Sequence, residues 1–380
     1  MDTSTEFLRR LVAFPTVSDS SNLALLDWIE ESLAPLSPRL HRFPSPDGSK
    51  ANLLLSFGPD LPGGLLLSGH TDVVPVTGQR WSADPWTLRE ADGRLTGRGA
   101  TDMKGFLACC LTLAQTLGTR PLRRPVHLAL SYDEEVGCTG VGPMAEWAGT
   151  ALAPALAVIG EPSRLGLVNA HKGGLIGWAT VTGKTGHSSQ PQRGVDAVRI
   201  AADCVGRVAA LAAEFRAGPL DPAFDPPWST AAVNVIQGGN GMNLIAESCR
   251  FSWEMRVLPG VDELAVFERL KVGIEADLVP AMQAVDPGCG IRFEVLARIN
   301  ALSATSPALE GRLLGLLDQA APRVVAYGSE AGIFQAAGIP SVIIGPGDIA
   351  QAHQPDEWIE TSQLLECTRV LDRLVTEFCG

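Results

Sequence analysis

The chain has 380 residues, of which 46% are hydrophobic and 19% are charged. This length and balance predict a globular protein with two domains. Its 30 Lys and Arg residues against 42 Asp and Glu give a formal net charge of -12, and no basic stripe is present that would neutralise phosphates. We therefore predict no nucleic-acid partner.

Two further features concern the membrane and the compartment. The apolar runs 126–130 and 151–159 fall far short of the roughly 20 residues that cross a bilayer, so no membrane association is predicted. Asp2 and Glu6 occupy the start of the chain, which lacks the basic and apolar segments of a secretory signal. The eight cysteines form no C-x-x-C pair, as is typical of reduced thiols. We predict a cytoplasmic protein.

The first half of the chain alternates between helical and extended patterns. Apolar residues at helical spacing before Pro15 predict an N-terminal helix, and a second helix is predicted near residues 21–36. Strands follow at 51–57, 64–68, 126–131 and 156–159, and a helix begins near Gly105. This alternation predicts an α/β fold with a mainly parallel sheet covered on both faces.

From about Gly173 the order of elements changes. The pattern predicts a strand, a helix, two strands, a helix and a strand, namely 174–181, 195–215, 231–237, 248–257, 262–282 and 291–296. This βαββαβ order is the ferredoxin-like unit. After about residue 300 a helix, a strand and a terminal helix resume the first pattern, at 309–320, at 341–344 and at the end of the chain. We predict a discontinuous domain of residues 1–172 and 298–380, with 173–297 inserted into it.

One of the six histidines follows an apolar run directly. His70 comes after residues 65–69 and is followed by Asp72 in the segment Ser-Gly-His-Thr-Asp-Val-Val-Pro. Open α/β sheets place their sites at the carboxyl ends of strands, and Asp72 can point the same way and orient the imidazole. Alone, this spacing is more typical of an ordinary surface or core histidine.

Four more segments deliver a histidine or an acid, three of them just past a predicted strand. Asp102 ends a glycine-rich turn at the start of a helix. Alone, an acid at this position is more typical of an N-terminal helix cap than of a metal ligand. Three acids stand together at 133–135, a run that alone would indicate a solvated loop, and Glu161 and His353 each follow a strand. Two histidines and three carboxylates suit two zinc ions that share one carboxylate and leave room for a common water.

The adjacent pair Glu134 and Glu135 suggests a division of roles. Only one of the two need bind metal, and the other is then a free carboxylate beside the water, as a general base requires. We predict two zinc ions per subunit, and Co²⁺ or Mn²⁺ would suit the same ligand types.

These segments together resemble the M20 family of metallopeptidases and deacylases, over almost the whole chain. The resemblance implies that Asp72 is the partner of His70 and that Glu134 is the general base. It also implies that residues 173–297 form a lid and dimerisation domain, and that the protein is a homodimer. The implied metal ligands are His70 and Glu161 on one zinc, Glu135 and His353 on the other, and Asp102 on both.

Three positions in the inserted domain match family positions with a role. His187, in Gly-His-Ser-Ser, is similar to a histidine that reaches the active site of the other subunit and stabilises the oxyanion; the alternative is a polar turn that opens a helix. Asn243 and Arg256 match positions that contact substrate. A guanidinium is a natural clamp for an α-carboxylate, although Arg256 would equally suit a solvent-facing strand position.

The segment Tyr327-Gly-Ser-Glu330-Ala-Gly is similar to family members that act on N-acetyl-L-ornithine. Desuccinylases and carboxypeptidases commonly carry Asp at the position of Glu330, whose carboxylate would receive the cationic side chain of ornithine. Gly332, where some deacetylases have proline, departs from that pattern. The resemblance implies hydrolysis of N-acetyl-L-ornithine to L-ornithine and acetate, in arginine biosynthesis.

Two alternatives stay open at this stage. The first is another activity of the same family, such as N-succinyl-diaminopimelate desuccinylase, another N-acyl-amino-acid deacylase or a carboxypeptidase. A substrate with a second carboxylate would need a further cation in the pocket, and the sequence reveals none. The second alternative is an inactive scaffold dimer, which would have lost a metal ligand or the base.

Overall fold

In a computed structural model, which describes residues 3–380, the chain forms two compact units. The first unit combines residues 3–170 with Leu302–Val324 and Ser329–Gly380, and the second combines His171–Ala301 with Val325–Gly328. The second unit therefore interrupts the first in the sequence.

The helices and strands are numbered here in chain order. The helices are α1 (Thr3–Val12), α2 (Leu23–Leu33), α3 (Lys104–Leu117), α4 (Gly142–Trp147), α5 (Ala197–Ala217), α6 (Glu263–Val285), α7 (Pro307–Leu317), α8 (Ala331–Ala336) and α9 (Thr361–Cys379). The strands are β1 (Arg39–Pro44), β2 (Ala51–Phe57), β3 (Leu65–His70), β4 (Arg89–Ala91), β5 (Arg94–Thr96), β6 (Val126–Ser131), β7 (Leu156–Ile159), β8 (Val168–His171), β9 (Gly173–Thr182), β10 (Gly186–His187), β11 (Thr230–Ala232), β12 (Ile236–Gly238), β13 (Leu244–Ile245), β14 (Ser248–Val257), β15 (Gly290–Ile299), β16 (Arg323–Val325), β17 (Ser341–Ile343) and β18 (Trp358–Glu360).

The large sheet of the first unit has the strand order β1-β2-β6-β3-β7-β17-β8-β16. The four central strands β6, β3, β7 and β17 are parallel, whereas β1, β2 and β8 pair antiparallel with their neighbours. The central strands are buried along their whole length, which explains their unbroken apolar sequences. The predicted α/β class is confirmed, and the sheet is mixed.

The parallel pairing sets the position of the site. His70 pairs with Ser131 at the ends of β3 and β6, and Ser68 pairs with Ile159 near the end of β7. The segments that leave these strands therefore start at one edge of the sheet. A second, three-stranded sheet, β18-β5-β4, joins the chain just before Asp102 to the chain just after His353; the sequence analysis did not predict it.

The second unit has the predicted βαββαβ order. Its sheet order is β11-β14-β9-β15 with antiparallel neighbours, and α5 and α6 supply apolar side chains to one core. The single strand predicted at 231–237 is instead two short strands, β11 and β12, that both pair with β14. Between them, the backbone N–H groups of Asn234 and Val235 donate to the side-chain hydroxyl of Ser252 in β14 and not to a backbone carbonyl of that strand, which interrupts the ladder.

Neither a bilayer span nor a disulfide is found in the described part of the chain. No helix among residues 3–380 is long and apolar enough to cross a membrane. All eight cysteines are buried and unpaired. Asp2, used above in predicting the compartment, lies outside the described residues.

A tight contact between Gly160, the residue after β7, and Phe106 of α3 supports the edge of the sheet that carries the site. A Cβ atom at Gly160 would lie 1.9 Å from Cγ of Phe106, which is completely buried. We predict that Gly160→Ala lowers the free energy of unfolding by about 1–3 kcal/mol or more, because the backbone must shift. Gly311→Ala is the matched control in α7, where a Cβ meets nothing within 4 Å. Gly311→Ala should raise the free energy of unfolding by up to about 1 kcal/mol. Both variants are compared by urea denaturation, and equal midpoints would contradict the prediction.

Candidate metal centre

His70 ends β3 and is completely buried. Its Nδ1 lies 2.9 Å from the backbone carbonyl oxygen of Asp72. A carbonyl only accepts, so Nδ1 carries the proton and Nε2 presents its lone pair to the site. Nε2 lies 3.1 Å from Oδ1 of Asp102.

Asp102 occupies the loop between β5 and α3, and its two carboxylate oxygens face different histidines. Oδ1 lies 3.1 Å from His70 Nε2, and Oδ2 lies 3.2 Å from His353 Nε2. The side chain is almost completely buried. A carboxylate between two imidazoles is the arrangement that lets one acid bridge two metal ions.

The two remaining predicted ligands, Glu135 and Glu161, each lie beside one of the two histidines. Glu135 Oε2 lies 3.0 Å from His353 Nε2, and Glu161 Oε1 lies 3.9 Å from His70 Nε2. Ligand atoms on one tetrahedral zinc lie roughly 3.3 Å apart, because each is about 2 Å from the ion. The separations of 3.0–3.9 Å are therefore of the size that a shared cation requires.

The electrostatics of this cluster favour a cation. Burial raises the pKa of Glu134 and Glu161 well above the ordinary value, and repulsion from neighbouring carboxylates adds to it. Hydrogen bonds to Asp102 and Glu135 raise the pKa of His353 to about 10. Among residues 3–380, no Lys or Arg forms an ion pair with these carboxylates, and the two imidazoles are the only basic side chains within ion-pair distance of them.

Unsatisfied atoms support the same conclusion. Oε1 of Glu135 and Oε1 of Glu161 are buried, and neither accepts a hydrogen bond within the described chain. Such groups are costly unless something pairs with them. Two sets of side chains bring ligand atoms within 4.8 Å of one another: His70 with Asp102 and Glu135, and His70 with Glu134 and Glu161. The donor types, imidazole and carboxylate, suit zinc, cobalt or manganese.

Asp72 contacts the acidic loop more closely than it contacts the imidazole. Its carboxylate accepts from Ser18 Oγ at 2.7 Å and from the backbone N–H groups of Glu134 and Glu135 at 3.2 and 3.3 Å. Its Oδ1 is 3.6 Å from His70 Nδ1. The side chain of Asp72 thus holds the loop 134–135, and its backbone carbonyl orients His70.

Glu134 adjoins the predicted ligand Glu135, and one of its carboxylate oxygens accepts a weak hydrogen bond. The Cys138 thiol donates to Oε1 at 3.3 Å. Glu330, at the start of α8, is 1% exposed and close enough to add its charge to that of Glu134. Burial raises the pKa of Glu330 to about 7. Apart from Ser131, whose hydroxyl faces the carboxyl group, the described residues offer its oxygens no donor.

The other three predicted site residues lie in the second unit. His187 and Asn243 are exposed neighbours: His187 pairs with Leu244 between β10 and β13, and Ser188 N–H donates to the Asn243 carbonyl at 3.1 Å. Arg256 lies on a different strand, β14, and Nη2 is 3.8 Å from the Glu254 carboxylate. Within this unit the structure brings His187 and Asn243 together, whereas Arg256 lies near the other end of β14, away from both.

One functional feature was missed by the sequence analysis. The backbone of the Asp102 loop donates to Glu357, a residue that is 1% exposed. The available signal was weak: an acid four positions after His353, at the end of the segment Gln-Pro-Asp-Glu. Its partners are distant in sequence, so spacing alone did not indicate the contact.

Comparison with known proteins identifies the family. The model of Peptidase family M20/M25/M40 matches residues 66–377. The acetylornithine deacetylase of Proteus mirabilis (strain HI4320) is 33% identical over 389 aligned residues, which cover 100% of this chain and 97% of that protein. The chain therefore belongs to the M20 family, and the resemblance inferred from its motifs is confirmed. Its class is that of the hydrolases with deacylase or peptidase activity.

Solved structures share the fold of this chain. The aminopeptidase PepT from Bacillus cereus ATCC 10987 has a TM-score of 0.74 at 18% identity, covering 99% of this chain and 98% of its own. The YXEP protein from Bacillus subtilis, a dinuclear metal binding peptidase of the M20 family, has a TM-score of 0.67 at 13% identity, covering 98% and 97%. At these identities the likeness concerns the fold.

Mutual repulsion among the buried carboxylates predicts a metal-dependent stability. Adding Zn²⁺ to chelator-treated protein should raise the Tm of the first unit, since a ligand at 100 times its Kd stabilises by about 2.7 kcal/mol. Asp102→Asn should remove most of this shift in differential scanning calorimetry. Glu268→Gln removes an exposed carboxylate of α6 and should keep the full shift. An unchanged shift in Asp102→Asn would contradict the assignment.

Proposed function

We propose that this chain hydrolyses N-acetyl-L-ornithine to L-ornithine and acetate with two zinc ions per subunit. The observation that carries the proposal is the Asp102 carboxylate, whose oxygens face His70 and His353 within a buried cluster of acids. The full-length similarity to an acetylornithine deacetylase supports the choice of substrate. The proposed metabolic place is arginine biosynthesis in the cytoplasm.

The donor set divides between two ions. His70 and Glu161 would hold one zinc, Glu135 and His353 the other, and Asp102 both. When bound, the ions supply Lewis acidity, which makes a water more acidic and polarises the amide carbonyl. The inactive-scaffold alternative is disfavoured because every residue of this set and the base is present.

Glu134 is the proposed proton carrier. It takes a proton from the attacking water and later gives it to the departing amine nitrogen, so one carboxyl serves both steps. Burial raises the pKa of Glu134, which makes the carboxylate a stronger base than an exposed glutamate. The Cys138 thiol engages one oxygen, and the other oxygen is left for the water.

Glu330 is the proposed selector for a cationic side chain. A buried carboxylate that lacks a charged partner gains most from an ammonium group, since a buried charge is costly unless it is paired. The δ-ammonium of ornithine provides such a partner. A second carboxylate, as in N-succinyl-diaminopimelate, would be repelled by the same group.

The second unit is the proposed site of dimerisation and substrate contact. Strand β11 lies at the edge of its sheet, beside a groove of about 400 Å³ lined by small and apolar side chains such as Val208, Ala212 and Val233. Unpaired edges with an apolar flank favour pairing with another chain. In the proposed homodimer, His187 stabilises the oxyanion in the partner's site, and Asn243 and Arg256 bind the substrate, with Arg256 on its α-carboxylate.

The role of Glu134 is tested by Glu134→Gln. This variant should keep the fold and the bound metal but lose at least about 100-fold in kcat, as expected when a general base is removed. Asp133→Asn is the matched control, because it removes the neighbouring acid, which pairs with Lys50, and should change kcat only slightly. Initial rates and metal content are measured together. Substantial turnover by metal-loaded Glu134→Gln would remove Glu134 from the mechanism.

The role of Glu330 is tested with N-acetyl-ornithine and N-acetyl-citrulline, which differ in side-chain charge. Glu330→Gln should lower kcat/KM for N-acetyl-ornithine by roughly 10- to 100-fold, the worth of a hydrogen bond to a charged group, and spare N-acetyl-citrulline. A carboxyl with a pKa of about 7 is ionised above that pH, so the wild-type preference for ornithine should decline as the pH falls below 7. An equal loss on both substrates would reject Glu330 as the selector.

A further inference from the structure

The loop that carries Asp102 is held by one buried carboxylate, that of Glu357. Its Oε1 accepts the backbone N–H groups of Thr101 at 2.8 Å and Asp102 at 3.0 Å. Its Oε2 accepts Gly99 N–H at 3.0 Å and Arg98 Nη1 at 2.7 Å. Each oxygen thus accepts two hydrogen bonds, and three of the four donors are backbone N–H groups of the Asp102 loop.

The partner of Glu357 is equally buried. Arg98 and Glu357 are each 1% exposed. The guanidinium of Arg98 also donates to the side-chain oxygen of Gln79 and to the Gln354 carbonyl at 3.4 Å, and its Cζ lies 4.9 Å from the ring centroid of Trp81. A buried ion pair is weak evidence for stability, because desolvation offsets the attraction between the charges. The role of the Arg98–Glu357 pair is therefore argued from the way it positions the Asp102 loop.

The same hydrogen-bond network reaches the histidine on the far side of Asp102. Gln79, which accepts from Arg98, donates through Nε2 to the His353 backbone carbonyl at 2.9 Å. Glu357 itself follows His353 by four residues, and its carboxylate holds the Asp102 backbone. One connected group of side chains therefore holds the backbone of Asp102 and the backbone of His353, the residue whose imidazole faces Oδ2 of Asp102.

We propose that Glu357 and Arg98 are positioning residues that set the spacing between Asp102 and His353, and so the affinity of the second metal ion. The inference rests on the two-metal centre proposed above. A bridging carboxylate must present each oxygen to a different ion, and metal–ligand distances tolerate only about 0.2 Å. Groups that orient ligands in this way typically change metal affinity by about 10- to 100-fold when they are removed.

The test is zinc affinity, measured by competition with a chromophoric chelator, together with the Tm of the metal-free protein. Glu357→Gln puts an amide nitrogen, which cannot accept, opposite two of the four donors. The weaker zinc should lose at least about 10-fold in affinity, and zinc content at limiting free metal should fall from two towards one per chain. Arg98→Lys keeps the charge but cannot reach Glu357, Gln79 and Gln354 together, and it should show a smaller loss in the same direction.

Glu263→Gln is the matched control. It makes the same chemical change in another buried carboxylate paired with arginine, since Glu263 accepts from Arg298 Nε at 2.6 Å within the second unit. It should lower the Tm and leave both zinc affinities unchanged. A larger zinc loss in Glu357→Gln than in Glu263→Gln, at a comparable drop in Tm, supports the proposal.

The other outcomes separate this inference from the proposed function. Wild-type zinc affinity in a folded Glu357→Gln overturns the positioning role. If that variant does not fold, Arg98→Lys decides, and two zincs at unchanged affinity overturn the role as well. A wild-type protein that binds fewer than two zincs rejects the proposed metal centre, and the positioning role with it.

Discussion

Repulsion among carboxylates that share a buried space is the constraint on which the first unit depends. Burial alone disfavours the charged form of each acid, and each neighbour adds to that cost. Two kinds of contact offset this cost. Imidazoles lie on both sides of Asp102, and backbone N–H groups hold the loops in place: Asp72 accepts from the loop 134–135, and Glu357 accepts from the loop of Asp102. The acids therefore stay close together because the rest of the structure prevents the chain from relaxing apart.

The sheet collects these groups. Because β3, β6 and β7 are parallel neighbours, the residues that follow them start from one edge, although long stretches of chain separate them in sequence. His353 comes from the last part of the chain, and its loop is joined to that of Asp102 by the small sheet of β4, β5 and β18. Each proposed ligand thus lies on a segment close to a strand of one of these sheets, and rigid elements of this kind place side chains precisely.

Much of this arrangement could be predicted from the sequence, because the relevant signals are local. Unbroken apolar runs mark the buried central strands, and a histidine or acid after such a run marks the edge of the sheet. What could not be predicted depends on long-range contacts. Glu357 is typical: nothing near it in sequence indicates that it accepts from Gly99 and Thr101. The short strands β4, β5 and β18 are too brief for periodicity, and the break between β11 and β12 depends on the hydroxyl of Ser252.

The position of β17 between β7 and β8 has a consequence for synthesis of the protein. Both neighbours precede the inserted unit in the chain, whereas β17 follows it. During synthesis, β7 lacks a partner on one edge and β8 on both edges while nearly the whole βαββαβ unit is made, because β16 also follows that unit. Such edges are exposed to aggregation until their partner arrives. His353 follows β17 in the chain, so the cluster around Asp102 is completed only after the inserted unit has been made.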